Sequence, residues 1–229
     1  MSTVHNIFSI GYRCNACDFL NQYLNVRRYS SPFSYMLIDI ETALDFIRSR
    51  FENFTSKDFL KSGENYIRYN NLNWKCNHVH TISDEIEKGT DVYDMKKTCI
   101  WNHHNLFDKE VVESIDRRSK HLLHVLDTKP ESMLLFYIDK VREFPNFDIS
   151  LLKDFKCNFL VLVPILNFKL EPTLVYDNGK IKVIYFKSDM ANGAADASNH
   201  PEEWKKLAIL IKSLYEFEIE ERCLPLPDS

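Results

Sequence analysis

Asn158-Phe159-Leu160-Val161-Leu162-Val163-Pro164-Ile165 is the stretch on which the fold turns. After Asn158 every residue is apolar, and leucines alternate with valines. A strand with one wet face alternates apolar with polar residues. An uninterrupted apolar run of strand length is covered on both faces, as in the interior of a parallel sheet. The run from Phe159 to Leu166 is also too short to span a bilayer, which takes about 20 apolar residues.

Working downstream, Leu174-Val175-Tyr176 and Ile181 to Phe186 flank Asp177-Asn178-Gly179-Lys180, a strong hairpin signal. Asn199-His200-Pro201-Glu202 opens a final helix to about Tyr215, with Pro201 at its first position. Working upstream, Asp148 reads as the cap of a helix to about Phe155, and Met133 to Ile138 as a strand. Asp108 caps a helix over 109–126 with Val112, Ile115, Leu122 and Val125 facing inward. Cys99-Ile100-Trp101 is a short strand. Asp39 caps a helix over 40–51, with Ala43, Leu44, Ile47 and Phe51 at helical spacing. Ile7 to Ile10 is a buried strand running into Gly11, and 14–25 is a helix. Between 53 and 97 the pattern weakens to an alternating piece, Tyr66 to Tyr69, and a histidine-bearing segment, Lys75 to Thr81. This stretch is read as an irregular insertion. The alternation predicts one α/β domain over 1–223, with a mostly parallel or mixed sheet flanked by helices, and a flexible tail over 224–229.

The chain has 229 residues, of which 45% are hydrophobic and 27% charged, enough for a sizeable core. A net charge of -4 gives no electrostatic footprint for a nucleic-acid partner. With only 5 glycines there is neither G-x-x-x-x-G-K-[ST] nor G-x-G-x-x-G, so no phosphate-cradling loop and no cofactor are expected. The cysteines are Cys14, Cys17, Cys76, Cys99, Cys157 and Cys223. No basic-then-apolar leader opens the sequence and no membrane segment follows. The expectation is a cytoplasmic protein with mostly free thiols.

Cys14 carries the chemistry. It stands where the first strand passes through Gly11 into a helix. The partial positive charge of a helix N-terminus favours a thiolate there. The bland alternative is a small buried residue packing helix on sheet. A nucleophilic thiol needs a base and a group to orient that base. His103 or His104, delivered past the Cys99–Trp101 strand, fits the base. Asn102 or Asn105 fits the orienting group, with Asp189, Asp196 and Asn199 as alternatives. Adjacent backbone N–H groups at the helix start would serve as an oxyanion hole. Arg13, Arg27 and Arg28 would hold an anionic substrate group and lower the thiol pKa, with the bland alternative of solvated or ion-paired arginines. Cys14-Asn15-Ala16-Cys17 also has a redox reading, weakened by the lack of Pro or Gly between the cysteines. Strand alternation would put Cys76, His78 and His80 on one face as zinc ligands, but no second ligand pair supports it, and no metal is expected.

The run Ser9-Ile10-Gly11-Tyr12-Arg13-Cys14, with Ala16, Leu20, Leu24, Arg27, Arg28 and then Ser31-Pro32-Phe33-Ser34-Tyr35, resembles the opening of the DUF1796 family. That pattern is roughly S-L-G-x-x-C-x-x-A, a leucine-rich helix, an arginine and S-x-P-F-D-W. Arg117-Arg118 resembles the family's later R-R segment. Members occur in giant viruses and bacteria and are described as papain-like cysteine peptidases. The resemblance implies Cys14 as nucleophile, and Ser31, Phe33, Ser34 and Tyr35 as part of the substrate-binding surface. Ser34 and Tyr35 depart from the family's Asp and Trp, and Ala16 is one position early.

The expectation is a cysteine-dependent hydrolase of the papain-like peptidase type, acting on a peptide, amide or glycan in the cytoplasm (the host's, if viral). A transferase acting on a nucleotide-linked sugar or glycan, with Cys14 a pocket residue, is the alternative that the open-sheet strand order raises. A non-catalytic binding protein is the second.

Overall fold

The computed structural model describes residues 2–11, 15–26, 30–34, 36–69, 72–80, 90–91, 99–101, 104–138, 148–165, 168–188 and 201–218, with 60–69, 72–80 and 90–91 described by their backbone pairing. In chain order the elements are β1 (Ser2–Val4), β2 (Ile7–Gly11), α1 (Asn15–Phe19) and a π-helical continuation (Leu20–Leu24). Next come β3 (Met36–Ile38), α2 (Ile40–Arg48), β4 (Leu60–Tyr69), β5 (Leu72–His80), β6 (Thr90–Asp91), β7 (Cys99–Trp101) and α3 (Lys109–Thr128). The chain continues through β8 (Met133–Tyr137), β9 (Asn158–Ile165), β10 (Thr173–Asp177), β11 (Ile181–Lys187), α4 (Pro201–Leu214) and β12 (Tyr215–Phe217).

The main sheet has the order β10-β11-β9-β8-β2. β2, β8, β9 and β11 are parallel, and β10 closes one edge antiparallel through the expected hairpin. The continuous apolar strand is β9. It lies between β8 and β11 and is buried from Phe159 to Pro164. This is the mixed, mostly parallel α/β sheet that the sequence predicts. Its parallel strands add in chain order, so among the described strands no reversal of order makes the crevice at which doubly wound sheets bind nucleotides.

Alternate side chains sort into two layers. Phe8, Ile10, Leu134, Phe136, Phe159 and Val161 face α2 and α3, meeting Ala43, Leu44, Ile47, Ile115, Leu122 and Val125. Ile7, Met133, Leu135, Tyr137, Leu160 and Leu162 face α1 and α4, meeting Phe19, Leu20, Trp204, Leu207 and Ile211. Each fully buried Leu, Val or Phe stabilises the fold by about 1.5–3 kcal/mol.

Caps and turns set the element ends. The Asp39 carboxylate accepts from the Thr42 N–H at 2.8 Å and that of Asp108 from the Glu110 N–H at 2.9 Å, so both caps form as the sequence predicts. Other boundaries differ. The expected 14–25 helix is α-helical only to Phe19 and then widens to a π turn, closed by Asn25 in the left-handed region at φ 49°. α2 stops at Arg48 rather than residue 51. Arg50, Phe51 and Asn53 take positive φ, which swings Phe51 against Phe33 and Phe54 with ring centroids 5.3 and 5.1 Å away. The Asp148 cap forms, but on a short 3-10 turn, Ile149–Leu152, because Phe155 leaves it to pack edge-on to Phe159. The stretch read as irregular carries a long hairpin. β4 pairs antiparallel with β5 within a second sheet of order β3-β7-β5-β4-β6. Its polar residues hid the strands, because polar strand residues give no apolar alternation to read.

Gly11 ends β2 where two backbones nearly touch. A Cβ there would lie 2.7 Å from the Tyr137 carbonyl oxygen and 2.9 Å from its nitrogen. Only glycine lets β2 and β8 pair to their last residues. Tyr137 is fully buried, so it has no room to move aside.

Lys182 is a buried cation on β11, with its ammonium 2.7 Å from both Asp177 oxygens and 5.5 Å from the centre of the Tyr215 ring. Hydrogen bonding from Lys182 holds the Asp177 carboxyl below its usual range. A depressed carboxylate contributes stability that is present above its unfolded pKa and lost as pH falls through the folded one. Asp177→Asn removes that acid-sensitive component and leaves the ammonium without its counter-ion. Asp177 is 36% exposed, so solvent screens the pair and the expected cost at pH 7 is about 0.5–1 kcal/mol. Urea melts at pH 7 and pH 3 test it: the gap between wild type and variant should narrow at the lower pH.

Candidate active site

The carboxyl ends of the parallel strands, Gly11, Tyr137, Ile165 and Lys187, share one edge of the sheet. Two further segments reach that edge. α1 begins four residues past Gly11 and turns back over β2, so that the Cys17 sulfur lies 3.3 Å from the Ser9 hydroxyl. α3 leads directly into β8 and so runs opposite to the strands, with His121 beside Phe8 at a ring distance of 6.0 Å. Its N-terminus, and residues 104–108 before it, therefore lie toward the carboxyl edge.

The Ser31-Pro32-Phe33-Ser34 turn is built by its own polar groups. The Ser31 hydroxyl accepts from the Phe33 N–H at 3.1 Å, and the Ser31 carbonyl accepts from the Ser34 N–H at 3.1 Å. β3 follows and pairs antiparallel with β7, Met36 opposite Trp101. That pairing brings the Ser31–Ser34 turn toward His104. The result is a contact between parts of the chain 70 residues apart: His104 Nε2 lies 3.1 Å from the Ser34 carbonyl oxygen.

This contact fixes chemistry. A carbonyl can only accept, so Nε2 carries the proton and donates it to Ser34. In the neutral ring the lone pair then resides on Nδ1. A second constraint holds the ring's tilt. Trp101 meets it edge-on at 5.9 Å and 72°, and is itself backed by Phe54 at 4.8 Å. Phe33 and Phe51 complete the packing around Phe54.

Several polar atoms near this edge are buried without hydrogen-bond partners among the described residues: both amide atoms of Asn15, the Ser34 hydroxyl and the Trp101 indole N–H. Each such group costs about 1–3 kcal/mol relative to its solvated state. By contrast, the Tyr137 hydroxyl and the Ser188 hydroxyl, at the ends of β8 and β11, are paired at 3.1 Å.

Of the residues singled out from sequence, the structure brings together Ser34 and His104, and sets Ser31 and Phe33 in the same turn. Ser31, Phe33 and Ser34 are all buried, Phe33 within the aromatic cluster. Asn105 is exposed, and its side-chain oxygen accepts from the Phe107 N–H at 3.1 Å. Arg117 is exposed on α3. Cys14, Arg13, Arg27, Arg28, Tyr35, Asn102 and His103 lie outside the described residues, as do Asp189, Asp196 and Asn199. β5 covers Cys76, His78 and His80, so the strand that the zinc reading needs is present in the backbone. Among the described residues no group of three or more His, Cys, Asp or Glu side chains is placed to hold a metal ion. Among them, too, no helix is long and apolar enough to cross a membrane.

Cys17, Cys99 and Cys157 are buried free thiols. Burial pushes the Cys157 thiol up to about 12 and that of Cys99 well above the ordinary range, the latter helped by Asp39. Neither is a nucleophile at neutral pH. Sequence reasoning missed Asn15, Trp101 and the Tyr137–Ser188 pair as polar features of this edge. Trp101 and Tyr137 read as core, and nothing in a sequence marks a hydrogen bond left unmade.

The acceptor for His104 is main chain, so a side-chain change at Ser34 leaves it in place. Ser34→Ala also deletes a buried, unpartnered hydroxyl. The expected outcome is a melting temperature equal to or above wild type, with the His104 ring resonances in an NMR spectrum unshifted beyond a local perturbation.

A family model described as "Putative papain-like cysteine peptidase (DUF1796)" matches residues 5–175, which takes in β2, the Ser31–Ser34 turn, His104 and β9. No curated protein matches the chain, and no solved structure does. Among the described strands the main sheet is open and closes no barrel. With most of its length matched, the chain belongs to the DUF1796 family.

Proposed function

We propose that this chain is a cysteine hydrolase of the peptidase type, with Cys14 as nucleophile and His104 as its base. The observation that carries the reading is the His104 Nε2–H to Ser34 carbonyl hydrogen bond. It orients the imidazole and assigns its basic nitrogen, as a side-chain oxygen does for the base of a Cys–His pair. Of the two histidines, His104 is the one among the described residues, and its partner is the basis for choosing it. The family supports a peptide as substrate.

In the proposed reaction Nδ1 takes the Cys14 thiol proton. The sulfur attacks the scissile carbonyl carbon, and the C=O π pair moves to oxygen. Collapse of this intermediate breaks the C–N bond, and the imidazolium returns its proton to the leaving amine. Water, deprotonated by the same Nδ1, then cleaves the thioester, releasing the acid and restoring the thiol. A backbone carbonyl stabilises the imidazolium less than a carboxylate would. Where the family pattern has Asp, Ser34 thus supplies the orienting function through its main chain.

Alkylation by iodoacetamide across pH, with adducts assigned by peptide mass spectrometry, tests the reading. Cys14 should titrate below the free-thiol value of about 8.5. His104→Ala should return it to about 8.5 and lower kcat/KM on a peptide library about 100-fold or more. Cys99 and Cys157 should stay unmodified at pH 8. A wild-type Cys14 that titrates at about 8.5 sinks the proposal.

A further inference from the structure

We propose that the edge formed by β10 and α4 is a docking surface for an anionic lipid membrane, on which the chain lies without spanning it. The inference is independent of the cysteine reading.

Among the described residues five large hydrophobic side chains are exposed, and four of them gather here: Leu170 (64%), Val175 (45%), Tyr176 (37%) and Ile209 (70%). Val175 and Tyr176 stand on β10, the edge strand of the main sheet, and Leu170 lies just before it. α4 is held beside this segment, because the Lys206 ammonium lies 2.9 Å from a Glu171 carboxylate oxygen. Ile209 is one turn on from Lys206 and on the same side of the helix. The sequence neighbours Leu174 and Leu210 pack inward and meet the needs of the core. The outward set serves no packing, and a clustered apolar surface of this kind marks a site of interaction.

Charge identifies the partner. Segments 168–187 and 201–214 hold seven lysines and four acidic residues, in a chain whose net charge is -4. All four acidic residues are bound to lysine: Glu171 and Glu203 to Lys206, Asp177 to Lys182 and Glu202 to Lys205. Lys169, Lys180, Lys187 and Lys212 have no carboxylate partner among the described residues. They bracket the patch, with Lys169 and Lys187 toward the carboxyl ends of the strands and Lys180 and Lys212 toward the amino ends. Apolar side chains inside a ring of uncompensated ammonium groups match acyl chains beneath anionic headgroups. The remainder of the chain is acidic, so a negative surface repels it and turns this edge inward.

Shape argues against the other occupants. The register of β10 on β11 slips between Leu174 and Tyr176, so its outer N–H and C=O groups form an irregular template for a further strand. Leu170 and Ile209 stand out from the surface, whereas an apolar groove that takes a helix is concave.

Vesicle flotation tests the inference. Wild type should float with phosphatidylcholine vesicles carrying about 30% phosphatidylserine at about 0.05 M salt. It should not float at about 0.5 M salt, or with phosphatidylcholine alone. Lys169→Ala and Lys212→Ala should each lower the partition coefficient about fivefold. Lys120→Ala, the same charge change on an exposed residue of α3 in the opposite layer, should change it less than about twofold. Leu170→Ser combined with Ile209→Ser should lower it about tenfold at an unchanged melting temperature. A wild type that stays unbound at low salt overturns the inference, and is the outcome expected if the patch serves an acidic protein instead. Binding that Lys120→Ala weakens as much as Lys212→Ala also overturns it, since that reports net charge and not this edge. So does binding that the double serine variant leaves intact, since no apolar side chain then enters the lipid.

Discussion

Two-sided burial is the constraint on which the molecule depends. Side chains alternate across a strand, so a strand covered by helices on both faces must be apolar at every position. β8 meets that demand from Met133 to Tyr137, and β9 from Phe159 to Pro164. α1 and α4 take one set of side chains, α2 and α3 the other. With both faces committed, the polar work of the protein is pushed to the ends of the strands. At one end Lys182 and Asp177 form a partly buried ion pair. At the other lie Gly11, Asn15, Ser34 and His104.

How much of this the sequence disclosed follows from how local each signal is. The parallel sheet was legible because Phe159–Ile165 admits few other readings. The caps at Asp39 and Asp108 were legible because the capping carboxylate sits within three residues of its N–H partner. The ends of helices were less so. Phe51 continues the apolar spacing of α2, and only the tertiary demand of Phe33 and Phe54 pulls it out of the helix. β4 and β5 were hidden because polar strands carry no period that distinguishes them from a loop.

The site was half legible for the same reason. His104 and the Ser31–Ser34 turn could be named as candidates from residue type and from resemblance, as could Cys14, which lies outside the described residues. Their relation could not. Ser34 reaches His104 through antiparallel pairing of Met36 with Trp101, a contact across 70 residues that no local pattern encodes. The acceptor is moreover a backbone carbonyl, which every residue possesses. A sequence search for the orienting group looks among Asn and Asp side chains and passes over it.

The edge-on contact between Trp101 and His104 has an optical consequence. An imidazolium in contact with an indole quenches its fluorescence, and a neutral imidazole does so far less. Trp101 is fully buried and backed by Phe54, so its emission is insulated from bulk solvent. The Trp101 share of the emission thus reports the proton on His104, alongside the emission of Trp74 and Trp204. Trp204 lies in the opposite layer of the sheet, among Phe19, Tyr137 and Phe186, and supplies an internal reference.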